Sequence, residues 1–268
     1  MEPLARALRG RRERRLRSAV PYVLVDRGRR TRLGPTVRAL ADAGAVGLEL
    51  GFPFSDPIAD GPTLEAASDR ALAHGTRWED LLRQVHEASQ VLPTAVMTYA
   101  NPVWAHGLDP ALSGLAAAGA SGLIVPDLSL EESGPWRGAA RRHGLALVLL
   151  AAPAASPARV AEIARRSAGF LYLVSRYGTT GGARPQAAAD LAPLVRAAHR
   201  GAPTLPVLLG FGVRDGATAR AAVASGADGV VVGSALEERL GRGEAPTRVG
   251  RWFGEIVAAI DGAPAVPG

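Results

Sequence analysis

The chain has 268 residues, 47% of them hydrophobic, a formal net charge of +6 and no cysteine. That is enough apolar material for one large barrel or doubly wound domain, or for two smaller ones, and it excludes disulfides, thiolate nucleophiles and thiolate metal sites. All 31 basic residues are arginine, so no Schiff base forms on a side-chain amine and pyridoxal phosphate has no lysine to hold it.

Residues from about 2 to 17 read as an Arg-rich helix. The run RGRRERRLRS (9–18) has the charge of a nucleic-acid patch but no interleaved aromatic residue, so it reads as a solvated helix face. No apolar run approaches the roughly 20 residues of a membrane span, and no apolar signal region follows the basic start. A soluble, cytoplasmic protein that binds neither nucleic acid nor membrane is expected.

Short apolar runs then alternate with helical patterns: VPYVLV (20–25), VGLEL (46–50), TAVMTY (94–99), GLIV (122–125), LALVLL (145–150), FLYLV (170–174), LPVLL (205–209) and GVVV (229–232). Most are continuously apolar, as parallel strands covered on both faces require. Two helices, 64–74 and 77–91, fit between the second and third runs. Thr76–Glu79 and Ser129–Glu132 match capping boxes, and Asp109-Pro110 and Ser156-Pro157 set a cap before a proline. Gly75 and Gly144 sit where helices should stop. The turns in AGAVGLEL, AGASGLIV, SAGFLYLV and SGADGVVV repeat one βα design. Eight such units in about 250 residues predict an α/β protein, a single (β/α)8 TIM barrel with an additional helix, with a doubly wound open sheet as the alternative. Residues 1–268 are expected to form one domain, ending in a short flexible tail from about 262.

Barrels carry their chemistry at the carboxyl ends of the strands. Glu49 is the second-last residue of the second run, and Asp56 and Asp60 follow on the loop of LELGFPFSDPIADGPT, stiffened by Pro53, Pro57 and Pro62. A buried carboxylate costs several kcal/mol unless paired, and no basic residue neighbours Glu49, so it is read as functional. Ser55-Asp56-Pro57 reads equally well as an ordinary turn, and Asp60-Gly61 as a turn or a helix lead-in.

Glycine-rich turns follow the last three runs: SRYGTTGG (175–182), GFGV (210–213) and GSA (233–235). Gly212, Gly233 and Ser234 stand where barrels bind phosphate. His74, His86, His143 and His199 read as helical or helix-end residues and His106 stands alone in a loop, so no metal site is expected. What remains is acid–base catalysis on a substrate that carries its own electron sink.

These segments resemble the tryptophan synthase alpha subunit family. LELGFPFSDPIADGPT is the most specific match, supported in register by AVPY (19–22), TYANPV (98–103), VPDLSLEES (125–133), LYLVSR (171–176), GFGV and GSA. The resemblance spans about residues 15 to 260 and implies retro-aldol cleavage of indole-3-glycerol phosphate to indole and glyceraldehyde 3-phosphate, with no cofactor. By motif position, Glu49 would protonate indole C3 and later take a glycerol hydroxyl proton, and Asp60 would hold the indole N–H. Tyr172 matches an aromatic hydroxyl beside the acid. Tyr22, Tyr99 and Phe211 would wall the indole, though each reads equally as core packing, and Thr180 would act in closure of the loop after the sixth strand. Gly181, Gly212, Gly233 and Ser234 match phosphate-binding positions.

The resemblance also implies a partner, a pyridoxal-phosphate beta subunit in an alpha2beta2 complex, with Asp56 and Pro57 on the contacting loop and TYANPV nearby. Two segments depart from the family pattern. After the first strand a Thr and a Gly-Asp-Pro are usual, where this chain has Leu24-Val25-Asp26-Arg27-Gly28; and Gly178-Thr179-Thr180-Gly181 replaces Gly-Val-Thr-Gly. Two other roles stay open on sequence alone: a stand-alone lyase releasing free indole, and a weakly catalytic chain that mainly activates a beta-type partner.

Overall fold

The computed structural model describes residues 2–174, 188–210 and 212–261. Eight parallel strands close a barrel in sequence order: β1 (Ser18–Leu24), β2 (Leu48–Gly51), β3 (Thr94–Met97), β4 (Ala120–Ile124), β5 (Ala146–Ala151), β6 (Leu171–Val174), β7 (Val207–Gly210) and β8 (Gly229–Val232). The barrel prediction holds, and the open sheet is excluded because β1 pairs with both β2 and β8. Each strand lies within two or three residues of its predicted run.

Period-two alternation divides the strand residues between two cores. Val23, Leu48, Leu50, Val96, Leu171, Leu173, Leu209 and Val230 face the helical layer. Their neighbours Tyr22, Ala95, Ile124, Val148, Tyr172, Leu208 and Val231 fill the barrel. Glu49 lies between Leu48 and Leu50, so it points inward with the second set.

The first helix, α1 (Pro3–Glu13), closes the amino-terminal end of the barrel, with Leu4 and Leu8 in the inner core. It is shorter than the expected 2–17, because the chain turns at Arg15 (φ 58°) and β1 begins at Ser18. Its arginines are stitched to acids: Arg11 pairs with Asp261, and Arg12 Nε lies 2.9 Å from Asp228 Oδ1. Asp228 also accepts the Val207 amide at 2.8 Å and lies 2.9 Å from His199 Nε2. The basic run is therefore partly neutralised by its own fold.

Both helices expected between β2 and β3 are present, as α3 (Pro62–Ala73) and α4 (Trp78–Ser89), after α2 (Arg30–Asp42). Leu64, Ala67 and Ala71 bring α3 against the inner core at the mouth. Gly75 and Gly144 have φ of 72° and 69°, the left-handed geometry that ends a helix. Ser156 caps α8 (Pro157–Arg166) through the Arg159 amide.

Three local expectations are corrected. At α4 the Asp80 carboxylate accepts the Arg77 amide at 3.0 Å, and the Thr76 hydroxyl instead accepts the Arg27 amide at 3.0 Å. Ser129 Oγ accepts the Glu132 amide at 3.2 Å and donates to the Glu132 carboxylate at 2.8 Å, closing a turn and not a helix cap, and the helix α7 (Ser133–Arg142) starts after it. Asp109 lies inside the first turn of α6 (Leu108–Ala117) and binds Arg142 at 2.6 Å; Gly107 is the cap. For Thr76 and Asp109 a tertiary partner took the group that local sequence had reserved for a cap. Among the described residues no helix is long and apolar enough to cross a membrane.

Candidate active site

The loop between β2 and α3 is pinned along its length. The Phe52 amide donates to Met97 O at 2.9 Å, the Phe54 amide to Ser68 Oγ at 3.1 Å and the Ala59 amide to Tyr99 Oη at 2.9 Å. Phe52 packs edge-on against Trp78, ring centroids 5.4 Å apart, and Phe54 against Tyr99 at 5.2 Å. Together with the three prolines read from the sequence, these contacts hold Asp60 over the barrel mouth.

A cavity of about 460 Å³ opens there. Tyr22, Tyr172, Leu64, Met97 and Val231 give it an apolar and aromatic end, with Asp60 at its edge. Gly212, Gly233, Ser234, Arg214 and Thr218 form the other end. Gly212 has φ 87°, a conformation suited to glycine. Ser234 is the first residue of α11 (Ser234–Gly241), so the amides there have no preceding helical carbonyl and face the cavity's glycine-rich end.

Two further glycines make the aromatic end possible. A Cβ at Gly51 would lie 1.9 Å from Tyr22 Oη, and one at Gly210 would lie 2.1 Å from the Tyr172 ring. The sequence reading singled out neither: Gly51 falls just after the second apolar run, and Gly210 opens the GFGV turn after the seventh. Their signal was a glycine closing an otherwise β-branched and leucine-rich strand, where glycine usually marks close approach of another group.

Glu49 is fully buried, and among the described residues neither carboxyl oxygen has a hydrogen-bond partner. It pairs in register with Tyr22 on one side and with Ala95, which is too small to fill the space, on the other. Desolvation pushes its pKa up to about 8, so at neutral pH it holds a proton. Its charge in turn raises the pKa of Tyr22 and Tyr172, each already raised by burial. Glu49 therefore stands behind the two tyrosines without itself forming the cavity wall.

Asp60 is half-buried, and burial raises its pKa to about 6, against the lowering effect of a hydrogen bond from Tyr99. The Tyr99 hydroxyl links two groups: it accepts from Ala59 and bonds Asp60. Two carboxyls with pKa values pushed apart to either side of neutrality can divide the roles of acid and charge stabiliser.

The chain as a whole is similar to known proteins. The family model for the tryptophan synthase alpha chain matches residues 9–250. The chain belongs to the tryptophan synthase alpha chain family. The alpha chain of Methanosarcina barkeri is 39% identical over 233 residues, 87% of each chain. That of Chloroflexus aurantiacus is 42% identical, covering 92% of this chain and 96% of the relative. A solved Mycobacterium tuberculosis tryptophan synthase chain superposes with TM-score 0.87 at 35% identity, covering 97% of this chain and 98% of that one.

Within this alpha-chain barrel, Glu49, Asp60, Tyr172 and Tyr22 converge on the mouth, and Gly212, Gly233 and Ser234 on the opposite lip. Tyr99 is not among the residues bounding the cavity; it holds the loop that carries Asp60. Phe211, Thr180 and Gly181 lie outside the described residues. Asp56 is exposed on the outer side of the loop beside half-buried Pro57, followed by Ile58, 69% exposed. Trp104, 53% exposed, stands on the neighbouring α5 (Ala100–His106).

The segment that departs from the family pattern after β1 has its own network. Asp26 is buried, accepts the Gly28 amide at 2.7 Å, and contacts His74 at 2.8 Å and Arg29 at 3.0 Å. Arg29 reaches on to Glu237 at 2.8 Å, and the other Glu237 oxygen accepts the Leu24 amide at 2.8 Å. This ties the end of β1 to helix α11, whose amino terminus is the glycine-rich lip. None of these long-range pairings was legible in the linear order.

Proposed function

We propose that this chain catalyses the alpha reaction of tryptophan biosynthesis: retro-aldol cleavage of indole-3-glycerol phosphate to indole and glyceraldehyde 3-phosphate. The observation that carries it is the buried, unpartnered Glu49 carboxyl, protonated at neutral pH, behind an aromatic cavity whose edge holds the more acidic Asp60.

The protonated Glu49 delivers its proton to indole C3, giving an indoleninium. Because Glu49 stands behind Tyr22 and Tyr172, delivery requires its side chain to rotate toward the cavity. Ionised Asp60 accepts the indole N–H and stabilises the positive charge on the ring. The Glu49 carboxylate left by the first step takes the glycerol hydroxyl proton. The carbonyl of glyceraldehyde 3-phosphate forms, the C–C bond breaks, and its electrons neutralise the indoleninium. Glu49 ends as it began, protonated. Tyr22 and Tyr172 wall the indole, with the Tyr172 hydroxyl beside the acid. The phosphate sits on the amides of Gly212, Gly233 and Ser234.

The reading extends to a beta-type subunit that consumes the indole. Exposed Asp56 and Ile58 on the loop after β2, with half-buried Pro57 between them, and exposed Trp104 on α5 offer a surface suited to that contact. A cytoplasmic location follows from this metabolic role. The alternatives of a stand-alone lyase or a mainly activating subunit have no observation in their favour.

The test is indole release from indole-3-glycerol phosphate by the purified chain, alone and with a beta subunit, with Glu49→Gln as the control. Turnover that the partner raises strongly and Glu49→Gln abolishes is expected. Equal rates for the wild type and Glu49→Gln would overturn the assignment.

A further inference from the structure

Arg214 is the only cation among the described residues bounding the cavity, and it stands at the end assigned above to phosphate. Its position is set by its backbone. The Arg214 amide donates to Thr218 Oγ1 at 2.9 Å, and Asp215 next to it caps α10 (Gly216–Val223). Its guanidinium crosses to the other phosphate loop and bonds Glu238 Oε2 on α11 at 2.9 Å. The side chain thus spans the lip between Gly212 and Ser234.

The Arg214–Glu238 pair is half open to water, with side-chain exposures of 58% and 30%. An exposed pair of this kind contributes little stability, and its geometry is cheap to give up. A phosphate arriving on the neighbouring amides brings close to two negative charges, and it arrives beside the Glu238 carboxylate that Arg214 already holds. Neutral amides alone leave that charge uncompensated. A guanidinium matches phosphate oxygens bidentately, which a single carboxylate contact does not exhaust.

We infer that Arg214 is a specificity-determining residue for the phosphate of the substrate: it leaves Glu238 when the cavity fills and becomes the counter-ion of the bound phosphate. Glu238 holds the guanidinium over the lip in the empty site and competes with the phosphate for it. The inference rests on the phosphate reading of this lip.

The consequence separates a binding role from a merely structural tie. If the pair only braces the two loops, removing either partner has the same effect. If Arg214 transfers to phosphate, the two substitutions act in opposite directions. The experiment measures KM and kcat for indole-3-glycerol phosphate, and competitive inhibition by glycerol 3-phosphate, for wild type, Arg214→Gln, Arg214→Lys and Glu238→Gln. Arg214→Gln is expected to raise KM and the inhibition constant by about tenfold, the range of one charge-assisted hydrogen bond, with a much smaller effect on kcat. Arg214→Lys should recover part of that loss, and Glu238→Gln should lower KM two- to threefold, roughly the worth of an exposed pair.

Equal increases in KM for Arg214→Gln and Glu238→Gln would overturn the proposal in favour of a brace. Competition by glycerol 3-phosphate that is unchanged in Arg214→Gln would overturn it while leaving the phosphate site standing. Failure of glycerol 3-phosphate to compete on the wild type would overturn the phosphate reading and this inference with it.

Discussion

The substitution Glu49→Gln should abolish the chemistry and, at alkaline pH, stabilise the protein. In the fold, burial pushes the Glu49 carboxyl up to a pKa of about 8 from its ordinary 4.5. Between those values the folded state holds a proton that the unfolded chain has released, so stability falls as pH rises from about 4.5 to about 8 and then levels. A gap of about 3.5 pH units corresponds to roughly 5 kcal/mol in full, of which about 4 kcal/mol develops between pH 5 and pH 9. Glutamine has no titrating proton and lacks this slope. Whatever fixed cost its amide brings among unpartnered neighbours is the same at every pH. Thermal unfolding at pH 5, 7 and 9 should therefore show the difference in Tm between variant and wild type moving in the variant's favour by roughly 8 °C across the range. A difference that stays constant with pH would refute the argument that Glu49 is buried without a partner, and with it the reason it is protonated at neutral pH.

The same two carboxyls set the pH dependence of catalysis. Asp60 must be ionised and Glu49 protonated, so kcat/KM should follow a bell with an acid limb near 6 and an alkaline limb near 8. In Tyr99→Phe the hydrogen bond that lowers the Asp60 pKa is gone, and the acid limb should move to higher pH in the same assay. Gly51→Ala puts a Cβ 1.9 Å from Tyr22 Oη, and should cost about 1–3 kcal/mol in denaturant unfolding along with most of the activity. Arg29→Met leaves fully buried Glu237 with only the Leu24 amide, and a loss of about 3 kcal/mol, read by the same unfolding, is expected.

The network around Arg29 shows why the departure after β1 does not dissolve the site. Family members usually carry Gly-Asp-Pro where this chain has Asp26-Arg27-Gly28. Here Asp26 curls back onto the Gly28 amide and hands its charge to Arg29, which reaches Glu237 in α11. Leu24 is anchored to the same carboxylate through its amide. Strand β1, which carries Tyr22, and the helix that opens with Ser234 are therefore held by one ionic cluster, and the aromatic end of the cavity is coupled to the glycine-rich end.

The sequence by itself determined the barrel and the most important acid. Eight apolar runs separated by capped helical patterns admit few topologies, because parallel strands buried on both faces leave no alternation to misread. Glu49 was legible because a carboxylate inside such a run has no solvent and no neighbour in the chain to stabilise it. Only the tertiary structure decided what surrounds that acid. Period-two geometry turned it inward, Ala95 across the ladder left its oxygens unpartnered, and Gly51 and Gly210 admitted the tyrosine rings. Tyr99 became a clamp on the Asp60 loop instead of a wall, and Thr76 and Asp109 found partners other than those their local patterns offered. Arg214 came to span two loops that are about 20 residues apart in sequence. Local patterns encode backbone propensity over a few residues; hydrogen-bond partners and desolvation depend on groups that only the closed barrel brings together.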